Sequence, residues 1–308
     1  MWPYWLRRFA YFGGLWLSVI VVSFLLFQVV PNDPARTVLG PNASTEQVDA
    51  LRARLGLDRS VVDQIQSHLA HVLQFDFGRS LLDDRDVFTE VASRLWVTLS
   101  TIVISVILVC SYGVFAAIAA ARTGSSRVLA GFDHVLSTLP TLFVAVVIAL
   151  LASASGLVPV FRDLYSVESW LALLPAALAL ALFPMALVSR VLRHAMDELR
   201  DADFVRTARA KGLTEPQVRY RHMLRNAVIP VVASLSNLIP ALFTACYVVE
   251  VVFSLPGTGS LLVRSILQRD LPMLQGVVAL NSLAAVVCLF AVESLYPWID
   301  PRVRTRES

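Results

Sequence analysis

The sequence has little charge and a single lysine, and these shortages exclude one class of protein. Only 16% of its 308 residues are charged, and Lys211 is the only lysine among 26 basic residues. A phosphate-binding loop of the type Gly-x-x-x-x-Gly-Lys-Ser/Thr needs a lysine directly before Ser or Thr. Gly212 follows Lys211 instead. The chain is therefore predicted to have no such ATP site of its own.

Cysteine is also scarce, and the net charge is small. Cys110, Cys246 and Cys288 all lie within long apolar segments, where they are interpreted as small apolar side chains and not as a disulfide framework. The net charge of +3 arises from basic residues concentrated in a few loops. Since no stripe of basic and aromatic residues accompanies them, no nucleic-acid partner is predicted.

Candidate metal ligands are few. His68-x-x-His71 places two imidazoles on one face of a helix, but no third ligand is evident. The acidic group of residues 83, 84 and 86 is interpreted as a solvated turn. No metal site, no cofactor and no catalysis by this chain alone are predicted.

What the sequence does contain is long apolar runs. Hydrophobic residues make up 56% of the chain, and residues 9–30 carry no charge. Each run is about 20 residues or longer, which is enough for a helix to cross a bilayer of about 30 Å. An all-α polytopic membrane protein is therefore predicted, with an uncleaved first helix and about six transmembrane helices at 9–30, 95–121, 132–154, 170–188, 228–253 and 273–298.

The arginines predict the orientation of these helices. Positively charged residues are enriched in the cytoplasmic loops of membrane proteins. Basic residues occur before the first span, after the second, and most densely in the loop 190–225. Both termini are therefore predicted to be cytoplasmic, with Arg7, Arg8, Arg122, Arg127, Arg302, Arg304 and Arg306 on that side.

Three regions follow from this topology: residues 1–30 with the first helix, an extracytoplasmic helical loop at 31–94, and a core at 95–308 with a cytoplasmic loop at 190–227. In the outer loop, Ser44-x-x-Gln47 is a capping box for a helix with Val48, Leu51 and Leu55 on one stripe before Gly56. A second helix from Val61 is predicted to bury Ile65, Leu69 and Val72. These helices are expected to form a small lid over the outer mouth.

The loop from 203 to 230 is basic and helix-forming. Residues 204–211 have helical composition with Phe204 and Ala208 on one face, and Gly212 is placed as a glycine that ends the helix. Thr214-x-x-Gln217 is a capping box that starts another helix. Two short helices meeting at Gly212 are predicted to form a compact projection, the knob (residues 203–217). The alternative is an ordinary cytoplasmic loop whose arginines serve only topology.

Polar residues inside the apolar spans are candidates for a pathway. Asn237 lies beside Ser236 deep in the fifth span and is expected to be buried amid apolar neighbours, namely Leu235, Leu238 and Ile239. A buried amide needs a polar partner or a wet cavity, and Asn237 is predicted to face the pathway. Glu250 lies near the outer end of the same span. Prolines 140, 175, 184 and 240 interrupt spans three, four and five, where the helices are expected to bend.

Several motifs resemble the permeases of bacterial ABC importers, in the branch that carries dipeptides, oligopeptides and nickel. The general importer motif begins Glu-Ala-Ala-x-x-x-Gly, and here Arg206, Thr207 and Ala208 occupy its first three places, so the glutamate is missing as in the peptide branch. The resemblance covers the chain from end to end. It rests on 206–213 (Arg-Thr-Ala-Arg-Ala-Lys-Gly-Leu), 225–230, 31–35, 55–58, 76–80, 252–259, 269–272 and 300–302.

The resemblance implies a type I ABC importer permease fold and a subunit that is not itself an enzyme. It implies a second, distinct permease in the same bacterial cytoplasmic (inner) membrane, two cytoplasmic subunits that bind ATP and Mg, and an extracytoplasmic substrate-binding protein. The knob would couple to an ATPase, with charge from Arg206, Arg209 and Lys211. The small residues Ala208 and Gly212 would let the knob approach the ATPase closely. The full coupling set is Arg206, Thr207, Ala208, Arg209, Ala210, Lys211, Gly212 and Leu213, and the pathway set is Ser236, Asn237 and Glu250.

Two other classes of protein are alternatives to an importer permease. Inverted repeats with paired broken helices would favour a secondary transporter or channel that works without ATP. The sequence shows no convincing repeat. An intramembrane enzyme would need a motif such as His-Glu-x-x-His, which the sequence lacks. The sequence does not decide whether the cargo is a dipeptide, an oligopeptide, nickel or another compound.

Overall fold

The computed structural model of the chain describes residues 2–29, 39, 43–55, 58–123, 126–155 and 170–299. Within these ranges the secondary structure is helical, apart from one isolated bridge between Arg79 and Asp86. The predictions for residues 31–35, for Gly56 and for the terminal arginines from residue 300 onward lie outside the described residues.

The helices follow the apolar pattern of the sequence. In chain order they are α1 (Trp2–Val29), α2 (Thr45–Leu55), α3 (Val61–Leu73), α4 (Val87–Thr123), α5 (Ser126–Thr138), α6 (Thr141–Ser155), α7 (Leu174–Glu198), α8 (Asp203–Ala210), α9 (Glu215–Gln217), α10 (Leu224–Val252), α11 (Thr258–Gln268) and α12 (Leu271–Ile299). Short 3-10 helices occupy Trp170–Leu173 and Leu199–Asp201, and a π-helical segment occupies Val218–Met223.

Five helical segments in the described residues are long and apolar enough to cross a membrane, and a sixth is reached if one bent pair counts as a single span. The bend expected at Pro140 in the span 132–154 is confirmed, and it is large, because α5 and α6 meet at 97°. Pro140 lies at the break, where its ring disfavours a helical conformation for Leu139. The Pro140 carbonyl accepts from the Val144 N–H at 3.1 Å and so begins α6.

The other prolines have different positions. Pro175 was predicted to interrupt a span, but it lies in the first turn of α7, where a missing N–H costs nothing. Pro184 lies inside α7, and Pro230 and Pro240 lie inside α10. Each of these three interrupts the backbone ladder of its helix.

The chain divides into two compact units, and the first comprises Met1–Trp96 and Pro256–Val287. Its outer-loop helices begin as predicted. The Ser44 N–H donates to Gln47 Oε1 at 3.1 Å and the Gln47 N–H donates to Ser44 Oγ at 3.3 Å, which completes the capping box. On α3, Val72 is fully buried in a cluster with Trp16, Ile20 and Ala279. The apolar stripe of α3 is thus covered by α1 and α12.

A buried carboxylate joins two of the sequence motifs within this unit. Asp270 accepts from Ser80 Oγ at 2.5 Å, from the Leu81 N–H at 3.3 Å and from the Met273 N–H at 3.4 Å. Asp270 also stands just before α12, where a negative charge is favourable at the helix N-terminus. The segments 76–80 and 269–272 are therefore parts of one structure.

The acidic turn is internally paired. Arg85 contacts Asp83, Arg79 contacts Asp84 at 2.9 Å, and the Thr89 N–H and hydroxyl donate to Asp86. The hydrogen bond from Arg85 lowers the pKa of Asp83 to about 2. All three carboxylates are engaged by local partners, which agrees with the interpretation of a solvated turn.

The second unit comprises Val97–Leu255 and Cys288–Ser308. Helix α7 is central in it and contacts α5, α6 and α10. Gly113 of α4 lies so close to α7 that an added Cβ would be 2.8 Å from Val188 Cγ1. One buried cluster, which includes Val188, Val205 and Val218, extends from the spans into the knob.

Candidate functional site

The first element of the knob, α8, ends in a Schellman motif. The Gly212 N–H donates to the Arg209 carbonyl at 2.9 Å, and the Leu213 N–H donates to the Ala208 carbonyl at 3.3 Å. Gly212 has a φ of +78°, the left-handed conformation that glycine adopts without a Cβ penalty. The predicted role of Gly212 as the terminating glycine is confirmed.

The second element begins as predicted but does not end where it was expected to. Gln217 Oε1 accepts from the Thr214 N–H at 3.0 Å, and Pro216 lies in the first turn. The prediction that this element is a separate short helix is wrong, because the chain continues through the π-helical segment into α10. One helical segment, Glu215–Val252, therefore joins the knob to a transmembrane span.

An ion pair closes the turn between the two elements. Arg209 Nε donates to Glu215 Oε1 at 2.8 Å, and Arg209 Nη1 donates to the Arg200 carbonyl at 3.1 Å. Arg219 approaches the other oxygen of Glu215 at 3.7 Å. Partly exposed ion pairs of this kind contribute at most about 1 kcal/mol to the free energy of unfolding. Their effect is to hold the geometry of the turn, and Arg209 is engaged within the knob.

Helix α8 has a buried face and an exposed face. Val205 and Ala208 are buried in the same cluster as Val218, so Ala208 serves internal packing and does not approach a partner. Phe204, predicted to share the face of Ala208, is instead 40% exposed. On a helix of eight residues, spacings of three and four predict the buried face almost equally well. The correct pair was Val205 and Ala208.

The exposed face of α8 combines one aromatic ring with two cations. Arg206 and Lys211 are exposed and have no partner among the described residues, while Thr207 Oγ1 donates to the Asp203 carbonyl at 2.8 Å. Ala210 and Gly212 are also exposed, and Leu213 is half-buried. This surface suits a partner that offers an apolar recess bordered by acidic groups. Sequence reasoning missed Phe204 as an outward residue.

The predicted pathway residues on α10 fall in two environments. Asn237 is exposed on the single chain, and Nδ2 reaches only the Ala233 carbonyl of its own helix at 3.5 Å. The expectation that this amide is buried among leucines is therefore corrected. Ser236 is half-buried, and its Oγ lies 3.4 Å from the Val232 carbonyl.

Glu250 lies in the interior of the second unit. It is fully buried, and its Oε1 accepts from Thr98 Oγ1 at 2.6 Å with Cys246 Sγ 3.5 Å away. Thirteen residues of helix separate it from Asn237, a distance of about 20 Å along the axis. The structure does not bring these two predicted pathway residues together.

Long apolar helices joined to a short charged projection define a multi-pass membrane protein. Residues 111–305 match the family of the binding-protein-dependent transport system inner membrane component, and residues 1–102 match the N-terminal region of such membrane components. The chain belongs to this family.

Curated relatives cover almost the whole chain. A putative peptide transport system permease protein of Brucella abortus (strain 2308) is 35% identical over 311 residues, covering 97% of this chain and 98% of the relative. A similarly named protein of Brucella suis is 35% identical over 314 residues, with the same coverage. The glutathione transport system permease protein GsiC of Salmonella typhimurium is 33% identical over 296 residues, covering 94% of each chain.

The chain is therefore the multi-pass inner membrane permease of an ABC importer. A permease of such a system works with ATPase and binding-protein components. The family is a membrane permease component, which is not itself an enzyme.

Proposed function

We propose that this permease forms half of a translocation pathway for short peptides, di- or oligopeptides, and that the knob couples this pathway to ATP hydrolysis. The peptide class is supported by the names of the relatives, which are peptide and glutathione transport permeases. The coupling role rests on one observation. The knob is a rigid element with an exposed Phe204, Arg206 and Lys211.

In the proposed mechanism the knob sits in a cleft of one ATPase subunit, which holds ATP and Mg. Closure of the ATPases would displace α8 as a rigid body. Val205 and Ala208 belong to the same buried cluster as residues of α7 and α10. Because close-packed interiors transmit displacement, the movement would reach the spans and switch the pathway between inward-open and outward-open.

A second surface supports a pathway along α10. Asn237 lies on an exposed stripe of small and polar side chains with Ala233, Ala241 and Thr244. Surfaces facing lipid are rich in large apolar residues, whereas small and polar residues are typical of helix interfaces and wet cavities. Asn237 and Ser236 are therefore proposed to border the pathway. Glu250 is proposed to support its wall from behind, beside Thr98.

The remaining parts of the assembly are proposals that follow from the family. One chain with six spans hardly encloses a peptide-sized path, so a second, homologous permease would complete it. Two ATPases and one extracytoplasmic binding protein would finish the complex. The knob and both termini are proposed to lie on the cytoplasmic side, and the distribution of arginines supports this orientation.

Substitution of Gly212 tests the coupling role. An added Cβ at Gly212 would meet no atom within 4 Å, so Gly212→Val acts through backbone strain alone, about 1–2 kcal/mol. We expect normal amounts of the subunit in the membrane, loss of peptide uptake and loss of the coupling between uptake and ATP hydrolysis. Gly212→Asn is the matched control, because asparagine tolerates this conformation, and it should retain uptake. Normal uptake by a well-expressed Gly212→Val complex would refute the role.

A further inference from the structure

A charged cleft lies between α5 and α7 in the second unit, separate from the exposed face of the knob. Its volume is about 410 Å³, and its lining includes Arg127, Asp133, His134, Arg190, Arg193 and Asp197. Positions three, four and seven apart share one face of a helix. The contributions of α7 (190, 193 and 197) therefore come from a single face, as do those of α5 (127, 133 and 134).

A neutralised ion pair forms the base of the cleft. Arg193 Nη1 lies 2.7 Å from Asp133 Oδ2, and both side chains are buried. Tyr112 OH donates to Asp133 Oδ1 and Ser189 Oγ donates to Asp133 Oδ2, each at 2.8 Å. This network joins α4, α5 and α7. Arg193 neutralises the charge of the Asp133 carboxylate, and Tyr112 and Ser189 also donate to it. The carboxylate therefore does not repel an anion in the cleft.

The rim of the cleft is positive. Arg127 and Arg190 are exposed, and neither has a partner among the described residues. Asp197 is the one other acidic residue of the lining, so the rim carries a surplus of positive charge. Guanidinium groups bind phosphate through paired, charge-assisted hydrogen bonds, so two of them lining one cleft favour a phosphate ligand.

An apolar stripe borders the same cleft on α5. Val128, Phe132 and Val135 are 72%, 51% and 56% exposed, and they recur at helical spacing beside Arg127 and His134. An amphipathic helix of this kind buries its apolar face at the acyl boundary of a bilayer and keeps its charges at headgroup level. A free phosphate would use the arginines but would leave the stripe uncovered. A phospholipid satisfies both.

We propose that this cleft binds the phosphate headgroup of an anionic phospholipid, with its acyl chains along the stripe of α5. Arg127 and Arg190 are assigned to the phosphate, and the Asp133–Arg193 pair is assigned to positioning the two helices. The 3-10 helix Leu199–Asp201 joins the end of α7 to α8. The bound lipid therefore braces the base of the knob, and this role is independent of the transported cargo.

The test uses the full-length permease together with the subunits that co-purify with it. Lipid retention is measured by native mass spectrometry during titration with phosphatidylglycerol or phosphatidylcholine. We expect tighter retention of phosphatidylglycerol, weakened about thirtyfold in Arg127→Gln/Arg190→Gln, because each of the two basic residues at a membrane surface contributes about 1 kcal/mol to such binding. The control Arg59→Gln/Arg264→Gln removes the same charge from exposed positions of the other unit, and it should retain the lipid.

Four results would overturn the proposal. They are unchanged retention in the cleft variant, an equal loss in the control, displacement of the lipid by millimolar inorganic phosphate, and loss of a co-purifying subunit without loss of lipid. The third would assign the cleft to a free anion, and the fourth would assign it to a protein contact. Retention is measured without transport, so failure here is distinguishable from failure of the coupling proposal.

Discussion

At the scale of single residues, Asn237 shows how the environment of a side chain changes its interpretation. The amide occupies an apolar helix, yet on the single chain it is exposed and bonds weakly to its own backbone at 3.5 Å. An amide in this position needs water or a neighbouring polar group, since hydrocarbon offers neither. We therefore expect the residue to border either the proposed pathway or a neighbouring helix.

Asn237→Leu distinguishes these two settings. If the residue borders the pathway, uptake per intact complex should fall while assembly and basal ATP hydrolysis persist. If it contacts a neighbouring helix, assembly should weaken by about 0.5–2 kcal/mol. The control is Ser18→Leu, because Ser18 is also an exposed polar residue bonded to its own helix, in α1. Unchanged uptake and unchanged assembly in Asn237→Leu would contradict both settings.

At the scale of elements, the contact of α12 with α4 in the first unit depends on the absence of a side chain. A Cβ added to Gly276 would lie 2.2 Å from Val87 Cγ1 and 3.5 Å from Phe77 Cβ. Val87 is fully buried and short, so it has no flexible end that could move away. Close approach of two helices through a glycine is typical of membrane proteins.

Gly276→Ala should therefore destabilise the protein by about 1–3 kcal/mol through overpacking. Adding Val87→Ala should relieve most of this cost, so the double variant should be more stable than the sum of the single changes predicts. The measurement is the midpoint of unfolding of the purified chain in detergent. Gly14→Ala is the control, because its added Cβ meets nothing within 4 Å. Strictly additive effects at 276 and 87 would show that the contact is absent.

At the scale of the whole molecule, the bent pair α5 and α6 decides the topology. Three segments lie between Asp84 and Glu215, namely α4, the bent pair and α7. If the pair crosses the membrane, the number of crossings is odd and the two residues lie on opposite sides. If the pair returns to the side where it entered, the number is even and the two residues lie on the same side.

Single cysteines at residues 84 and 215 test this count. We expect a cysteine at 84 to react with a membrane-impermeant thiol reagent in intact cells, and a cysteine at 215 to react only after the membrane is opened. The unsubstituted chain gives the background of Cys110, Cys246 and Cys288. Labelling of both positions from outside would make the pair re-entrant, and the reversed pattern would invert the predicted orientation.

Much of the knob could be predicted because its signals are local. The terminating glycine, the Thr214 capping box and the basic charge all act within a few residues, so neighbouring letters of the sequence are sufficient to predict them. The inward face of α8 could not be predicted, since Val205 is buried by Val218 and residues of α7 that are distant in the chain. The continuity of α9 with α10 was missed because the basic run before residue 228 was assigned to the loop, and the apolar span was expected to begin only there.

The sequence alone determined the class of the protein: apolar runs long enough to span a bilayer, the capped helices of the outer loop and the motifs shared with importer permeases. The tertiary structure decided the right-angle turn at Pro140, the burial of Glu250 beside Thr98, and the pairing of Asp133 with Arg193. The physical reason is the range of the interactions. Caps and apolar length depend on adjacent residues, whereas burial, ion pairs and the direction of a bend depend on which distant helices pack together.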